Sequence, residues 1–215
     1  MKCDKKSMRL YAVTDRAWVG KQTLYEQVES ALKGGASCIQ LREKKLDTKE
    51  FLQEAIEIKA LCDQYHVPFF INDNVEIAIQ CHADGIHVGQ SDMPVSQVRQ
   101  LVGKDMMIGV SAHTVEEALE AEKNGADCLG VGAMFSTTTK TDADLVSKET
   151  LKDICHAVQI PVVAIGGIHE GNMMQLAGCG IDGVALVSAI FSAQDIEKEC
   201  QKLLQLSEKM VQESQ

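Results

Sequence analysis

The sequence has little proline, few aromatic residues and no long apolar run. Only 3 of its 215 residues are prolines and 4% are aromatic, while 45% are hydrophobic. This composition is typical of a globular domain and differs from that of low-complexity chains. No stretch approaches the roughly 18 apolar residues that a membrane-spanning helix requires. The N-terminal "MKCDKKSMRLYAVTD" lacks the apolar core of a signal peptide, so we expect a cytoplasmic protein without membrane segments.

Basic charge is also scarce. Lysine and arginine number 21 against 31 aspartates and glutamates, and the net charge is −10. A nucleic-acid-binding surface requires a basic excess, so we expect no nucleic-acid partner.

Metal-binding cysteine motifs are missing although the chain has 8 cysteines. There is no CxxC, and no cysteine–histidine pair stands at zinc spacing. Several cysteines sit among small apolar residues, as in "GASCIQ" and "LAGCGIDG". We interpret them as free thiols that pack as small hydrophobes in a reducing compartment.

A recurring segment organises the chain. It appears as "KGGASCIQL", "CHADGIHVG", "NGADCLGVG" and "CGIDGVALV", at intervals of roughly 43 to 55 residues. Each copy predicts a short buried strand. Four further strands are predicted at "LYAVTD", "PFFIND", "MIGVSA" and "PVVAIGG".

Amphipathic helices are predicted between the strands. Thr23 with Glu26, and Thr114 with Glu117, have capping-box spacing at two helix starts. The remaining helices are predicted at 48–64, 74–80, 95–102, 147–157, 170–177 and 194–212. Eight strand–helix units without a linker predict one (β/α)8 TIM barrel spanning residues 1–215 as a single catalytic domain. A doubly wound open sheet is the alternative.

The stretch "IQLREKK" raises a question, because a buried strand runs directly into charge. Strand alternation places Gln40, Arg42 and Lys44 on one face. In a barrel the C-terminal strand ends form the mouth, where active sites lie. We therefore expect this face to look into the mouth.

Two aspartates follow neighbouring predicted strands. Asp73 follows "PFFIN" and Asp92 follows "HVGQS". Converging carboxylates could hold Mg²⁺ whose shell is completed by phosphate oxygens. The alternative is that one or both cap the helices that follow.

Cations on nearby walls suit a di- or triphosphate. Arg42, Lys44 and Lys140 would surround Asn72 and Ser111, with arginine giving fork geometry and lysine a point charge. The alternative is a surface turn of solvated charge, which we accept for Lys45.

A second phosphate site is predicted after the last two strands. "AIGGI" brings two glycines to the mouth, with Ser188 on the next strand and hydroxyls available from Thr137 and Thr139. A flexible Ser/Thr-rich loop is the alternative for the threonines. His87 and His113 also follow strands, but we expect structural roles for them. Two opposed phosphate sites and no evident nucleophile indicate group transfer between two small molecules with pyrophosphate as leaving group.

The combined motifs resemble those of the thiamine-phosphate synthase family. "QLREK", "IND", "ADGIHVGQSD", "GVSAHT", "TTTK", "AIGGI" and "VSAI" occur in the family's order and spacing. The resemblance implies a TIM-barrel transferase that joins a hydroxymethylpyrimidine diphosphate to a thiazole phosphate. In the family pattern, Ala133 and Ser136 occupy positions where members commonly have proline.

The resemblance also implies roles for individual residues. Pyrimidine and diphosphate would contact Gln40, Leu41, Arg42, Glu43, Lys44, Asn72, Ser111 and Lys140. The thiazole phosphate would contact Thr137, Thr138, Thr139, Gly167, Val187 and Ser188. The catalytic residues would be Arg42, Lys44, Ser111 and Lys140, and the Mg²⁺ ligands Asp73 and Asp92.

Two rival functions are weaker. A thiazole-tautomerase paralogue has no diphosphate to bind, so it needs neither the cations nor the paired aspartates. A non-catalytic barrel that senses a phosphorylated ligand does not need two opposed sites. A homo-oligomer is compatible with the sequence.

Overall fold

The barrel predicted from the sequence is confirmed. A computed structural model describes residues 3–137 and 145–213. Its parallel strands pair in sequence order, and β8 closes against β1 through the pairs Leu10↔Val184 and Tyr11↔Ala185. The alternative of an open sheet is therefore wrong. The strands are β1 (Leu10–Val13), β2 (Cys38–Leu41), β3 (Phe69–Asn72), β4 (Gly85–Val88), β5 (Met107–Ala112), β6 (Cys128–Val131), β7 (Val162–Ile165) and β8 (Gly183–Leu186).

Helices follow the strands as predicted, with two differences. The segment predicted at 170–177 divides into an α-helix and a 3₁₀ turn, Met174–Leu176. A short helix directly after β8 was not predicted. The helices are α1 (Leu24–Lys33), α2 (Thr48–Tyr65), α3 (Val75–Gln80), α4 (Val95–Val102), α5 (Val115–Lys123), α6 (Lys148–Ala157), α7 (Glu170–Met173), α8 (Ser188–Phe191) and α9 (Ile196–Gln212).

One of the two predicted capping boxes is complete. Thr23 accepts a hydrogen bond from the Glu26 N–H, and the Glu26 carboxylate accepts one from the Thr23 N–H. Thr114 likewise accepts from the Glu117 N–H at 3.2 Å. The Glu117 carboxylate, however, accepts from the His113 N–H at 2.7 Å, so the second box is only half formed.

The strands bury both faces, which explains why they read as nearly continuous apolar runs. Ile39 and Leu41 point outward and pack in the main core beneath the helices. Tyr11, Cys38 and Phe70 point inward and help to fill the barrel interior. The interior is therefore a packed core below the mouth and not a channel.

The cysteines behave as the sequence predicted. All are free thiols, and six are buried: Cys38, Cys62, Cys81, Cys128, Cys179 and Cys200. Burial raises the pKa of Cys62 to about 12 and that of Cys200 to about 12. A thiol with so high a pKa is almost entirely protonated at neutral pH and is a poor nucleophile.

Strand glycines make room for large inward side chains. A Cβ on Gly85 would lie 2.3 Å from the Phe70 ring, and one on Gly109 would lie 2.5 Å from Nδ1 of His87. At Gly183 the neighbour is backbone, because a Cβ would lie 1.9 Å from the Met8 carbonyl oxygen. Gly85 and Gly183, which begin β4 and β8 within two of the recurring segments, and Gly109 of β5 are thus required by packing.

Within the described parts of the chain, no helix is both long enough and apolar enough to span a bilayer. A single domain over residues 1–215, a homo-oligomer and a cytoplasmic location stay predictions.

We expect Gly183→Ala to lower the free energy of unfolding by about 2 kcal/mol, because the added methyl group collides with backbone that cannot rotate away. Urea denaturation followed by circular dichroism measures this change. Gly20→Ala is the matched control, since a Cβ there has nothing within 4 Å. Equal stability of the two variants would contradict the packing role of Gly183.

Candidate active site

Polar side chains converge inside the barrel near the ends of β2 to β5. Gln40 lies beside Phe70 of β3 in the strand register, and Asn72 lies beside His87. Ser111 stands at the inner end of β5, where its Oγ lies 3.0 Å from Nε2 of His87. The predicted concentration of polar residues at the mouth is therefore present on these four strands.

The strand argument for Arg42 and Lys44 was wrong, although both lie at the mouth. Strand β2 ends at Leu41, so alternation does not govern the residues that follow. The Leu41 side chain itself is fully buried in the outer core and does not face the mouth. The loop after β2, and not the pleat of the strand, places Arg42 and Lys44.

Glu43 organises that loop. Its Oε1 accepts hydrogen bonds from the N–H groups of Lys44 at 2.7 Å, Lys45 at 2.5 Å and Leu46 at 3.2 Å. Its Oε2 accepts from Nε of Arg16 at 2.6 Å. Both oxygens are thus engaged by the chain itself, which indicates a structural role. The substrate contact implied by the family resemblance stays a prediction.

The charge of Glu43 is stabilised where it lies. Burial of its carboxyl opposes ionisation, but hydrogen bonds from the Lys45 N–H and the Arg16 guanidinium outweigh burial and lower its pKa. Arg16 in turn reaches Glu54 of α2 at 2.7 Å. The loop after β2 is therefore tied to the loop after β1 and to the helix that follows.

Arg42 is held firmly but keeps a free donor. Its backbone N–H donates to Oγ1 of Thr14 at 3.0 Å, and its Nη1 donates to Asp15 at 3.2 Å. Its Nε is buried and has no hydrogen-bond partner among the described residues. That N–H is sealed from solvent, so an anion could reach only the exposed 19% of the side chain, whose guanidinium is permanently charged.

Lys44 and Asp73 join the loops after β2 and β3. The Lys44 Nζ lies 2.5 Å from Oδ2 of Asp73, and the lysine side chain is about half exposed. Asp73 has φ +62°, and its N–H donates to the His87 carbonyl oxygen at 2.8 Å. This left-handed backbone is one that aspartate tolerates better than most residues.

Neither aspartate caps a helix, so the capping alternative was wrong. The N-cap of α3 is Asn74, whose side chain accepts from the Ile77 N–H at 3.0 Å. The N-cap of α4 is Pro94, with no side-chain cap. Oδ2 of Asp92 instead accepts from the Gly89 N–H at 2.7 Å within its own turn.

The donor set fits a magnesium ion that is shared with a substrate. Asp73 and Asp92 offer hard carboxylate oxygens on the loops that follow adjacent strands. Across residues 3–137 and 145–213, no cluster of three or more metal-binding side chains occurs. A pair of carboxylates matches Mg²⁺, which keeps waters and takes phosphate oxygens, better than it matches a metal enclosed by protein ligands.

The histidines have local partners. His87 lies inside the barrel between Ser111 and the space left by Gly109. His113 lies at the start of α5, with Nδ1 3.1 Å from the Glu117 carboxylate. These contacts agree with structural roles, and no contact tests a chemical one.

The glycines after β7 bring two further loops together. Gly166 and Gly167 have φ of +94° and +65°. A Cβ on Gly167 would lie 2.5 Å from the Ser136 carbonyl oxygen, so only glycine allows this approach. Val187 and Ser188 lie at the start of α8 on the adjacent wall. Among the described residues of the predicted second phosphate site, the loop after β7 therefore packs closely on the loop after β6.

Part of the predicted site lies outside the described residues. These positions are Thr138, Thr139 and Lys140. Thr137 is the last residue described before them. The substrate and catalytic roles of all the predicted site residues stay predictions.

Most of the chain is similar to known enzymes. The family model described as thiamine monophosphate synthase matches residues 10–190. A thiamine-phosphate synthase of Ruminiclostridium cellulolyticum is 52% identical, over 92% of this chain and 94% of that one. One from Clostridium acetobutylicum is 48% identical, over 94% and 95%. The solved thiamine phosphate pyrophosphorylase of Pyrococcus furiosus superposes with a TM-score of 0.89 at 38% identity, over 96% of this chain and 98% of that one.

The chain belongs to the thiamine-phosphate synthase family. The predicted family is therefore confirmed, and so is the predicted enzyme class, a transferase of thiamine biosynthesis.

Sequence reasoning missed three residues that support this family's site in the present chain. Thr14, Asp15 and Arg16 follow β1 and hold Arg42 and Glu43 in place. The signal was available, because "YAVTDR" is another apolar strand that ends in polar residues. Polar residues at the strand ends are readily predicted to contact a ligand. Hydrogen bonds between the residues that follow different strands are harder to predict from the sequence.

A cleft of about 510 Å³ opens beside the mouth of the synthase barrel. Its lining includes Glu43, Lys44, Asn72, Asp73 and Met93. The ion pair of Lys44 and Asp73 therefore borders a space large enough for small-molecule groups.

We expect Glu43→Gln to lower the free energy of unfolding by about 2 kcal/mol near neutral pH, because hydrogen bonds to a charged acceptor are replaced by weaker ones. The pKa of Glu43 is lowered in the folded chain. Its stabilising effect is therefore present above the ordinary carboxyl pKa of about 4.3 and is lost as pH falls through the lowered value.

The difference between wild type and Glu43→Gln should thus shrink in acid. Urea denaturation at about pH 7 and about pH 3 measures it. Glu208→Gln, an exposed change on α9, serves as control and should alter stability little at either pH. A difference that stays constant with pH would show that the Glu43 charge is not the stabilising feature.

Proposed function

We propose that this member of the family joins 4-amino-2-methyl-5-(diphosphooxymethyl)pyrimidine to 4-methyl-5-(2-phosphooxyethyl)thiazole, giving thiamine phosphate and pyrophosphate. One observation carries the proposal most directly. Lys44 on the loop after β2 forms an ion pair with Asp73 on the loop after β3, while Arg42 lies on the first of these loops and Asp92 follows β4. A diphosphate and its metal need both signs of charge at one place.

Arg42 and Lys44 would bind the diphosphate and stabilise it as it leaves. Negative charge accumulates on the pyrophosphate when the C–O bond to the pyrimidine methylene breaks. The Arg42 side chain is 19% exposed, and its guanidinium carries a permanent positive charge. Fixed cations at the position where charge develops usually give the largest electrostatic contribution to catalysis. Lys140, Asn72 and Ser111 are proposed to add contacts to the same group.

Asp73 and Asp92 would hold the magnesium ion. Mg²⁺ when bound supplies positive charge that neutralises the diphosphate oxygens. Each aspartate makes a hydrogen bond to the main chain that fixes its loop. The Asp73 N–H donates to the His87 carbonyl oxygen, and Oδ2 of Asp92 accepts from the Gly89 N–H. The Asp92 side chain is thereby oriented by its own turn, whereas the Asp73 side chain is oriented by its ion pair with Lys44.

No protein nucleophile is required. The amino group of the pyrimidine can donate electrons through the ring to the methylene carbon, so the C–O bond can break with both electrons leaving on the pyrophosphate. The thiazole ring nitrogen then donates its lone pair to that carbon and forms the C–N bond. This dissociative course agrees with the buried thiols, which burial holds in the protonated form.

The glycine side of the mouth would bind the thiazole phosphate. Gly167 is held by Asn172, whose Nδ2 donates to the Gly167 carbonyl oxygen at 2.9 Å. We propose that Gly167, Val187 and Ser188 line this pocket. Thr137, Thr138 and Thr139 are proposed to add hydroxyl donors to the same phosphate.

The activity is tested by coupling the two substrates. Purified protein with Mg²⁺ should release thiamine phosphate and pyrophosphate in equal amounts, and EDTA should abolish both. Chromatography quantifies the first product and an enzymatic pyrophosphate assay the second. No product with Mg²⁺ would contradict the proposed reaction, and equal activity in EDTA would contradict the metal role of Asp73 and Asp92.

We expect Lys44→Ala to lower kcat/KM for the pyrimidine diphosphate by about 100-fold, because a cation is removed from the leaving group. Lys45→Ala is the matched control, since its neighbouring side chain is exposed. Steady-state kinetics with each substrate varied measures both. Similar losses in the two variants would refute the specific role of Lys44.

A further inference from the structure

A buried phenol lies directly beneath the mouth of the barrel. Tyr11 of β1 is 1% exposed, and its ring packs against Phe70 with centroids 5.6 Å apart. Its hydroxyl oxygen accepts a hydrogen bond from Nε2 of Gln40 at 2.9 Å. The described reaction gives Tyr11 no contact with either substrate.

The hydrogen bond fixes which end of the Gln40 amide faces the phenol. An amide side chain carries N–H donors on one arm and an acceptor oxygen on the other. Because Nε2 is held by Tyr11, Oε1 points away from it. Oε1 has no hydrogen-bond partner among the described residues. It is also not one of the unpartnered side-chain atoms that are completely shielded from solvent. It is therefore an acceptor that a ligand in the mouth can reach.

The phenol lies in the inward-facing core beside buried thiols. Cys38 lies beside Tyr11 in the strand register. Burial raises the pKa of the Cys38 thiol, and a hydrogen bond from Tyr11 opposes part of that rise. The Tyr11 oxygen accepts from the Gln40 N–H in this arrangement, and its own hydroxyl hydrogen is left for another acceptor.

We propose that Tyr11 is a positioning residue that sets substrate specificity through Gln40. By holding Nε2, it presents Oε1 as an acceptor, which selects a pyrimidine with an exocyclic amine over one with a carbonyl oxygen at the same place. This inference rests on the proposed function, because it concerns the pyrimidine of that reaction.

The selection has a clear physical basis. An amine donates to Oε1, whereas a carbonyl oxygen would face it without a proton between them. A buried polar group left unpaired is costly, and sites built on such pairing discriminate strongly. An amide free to turn by half a rotation would present N–H instead and would lose the discrimination. The phenol prevents that rotation.

The test is Tyr11→Phe, which removes the hydroxyl and keeps the ring. The readout is kcat/KM for the aminopyrimidine diphosphate divided by that for its 4-oxo analogue. We expect this ratio to fall at least 10-fold, mainly because KM for the amino substrate rises. KM for the thiazole phosphate should not change. Tyr25→Phe makes the same chemical change at a side chain that is 38% exposed, and it should leave the ratio unchanged.

A double-mutant cycle separates positioning from a general packing effect. In a Gln40→Met background, Tyr11→Phe should have no further effect on the ratio, because the amide that it orients is gone. Additive effects, or a ratio in Tyr11→Phe within twofold of wild type, would overturn the inference while leaving the proposed function intact. Wild-type protein that couples neither pyrimidine would overturn the proposed function and this inference with it.

Discussion

The pairing of β8 with β1 is the constraint on which the rest of this molecule depends. Closure gives every strand one face toward a narrow interior, so that interior has to be filled by a fixed set of side chains. Large groups such as Phe70 and His87 fit only because glycines stand opposite them. The same closure leaves a layer of packed side chains beneath the mouth. Gln40 and Ser111 lie on the mouth side of that layer, on strands that are paired with their neighbours. Substrate-facing groups are thus supported from below by core packing.

The loops add what the strands cannot supply. Strands end at Leu41 and Asn72, and the charged groups follow on turns whose shapes are set by internal hydrogen bonds. Arg42 is held by residues after β1, and Asp73 is held by the next strand through the His87 carbonyl oxygen. Cations and carboxylates of high charge density are in this way kept at the rim, where water and ligands reach them.

The fold was predictable from the sequence because its signals are repeated. Small residues before four of the strands, apolar strands and capped helices agreed with one another, and the caps at Thr23 and Thr114 formed. Which residues form the site, and why they lie there, was harder to predict from the sequence. Alternation fails beyond a strand end, so it gave the wrong reason for placing Lys44 at the mouth. Capping preferences suggested helix roles for Asp73 and Asp92, whereas the N-cap positions of α3 and α4 are held by Asn74 and Pro94. The four-residue helix at Ser188 is too short for periodicity to indicate.

Glu43 shows how shape and chemistry at the rim are encoded separately. Its carboxylate accepts hydrogen bonds from the main-chain N–H groups of the next three residues. These N–H groups do not depend on which side chains the three residues carry. Substitutions at positions 44 to 46 can therefore change the charge or size of these side chains without changing the backbone conformation of the loop after β2. Divergent descendants of this barrel could exchange one ligand set for another on an unchanged frame, provided that Glu43 and its Arg16 partner persist.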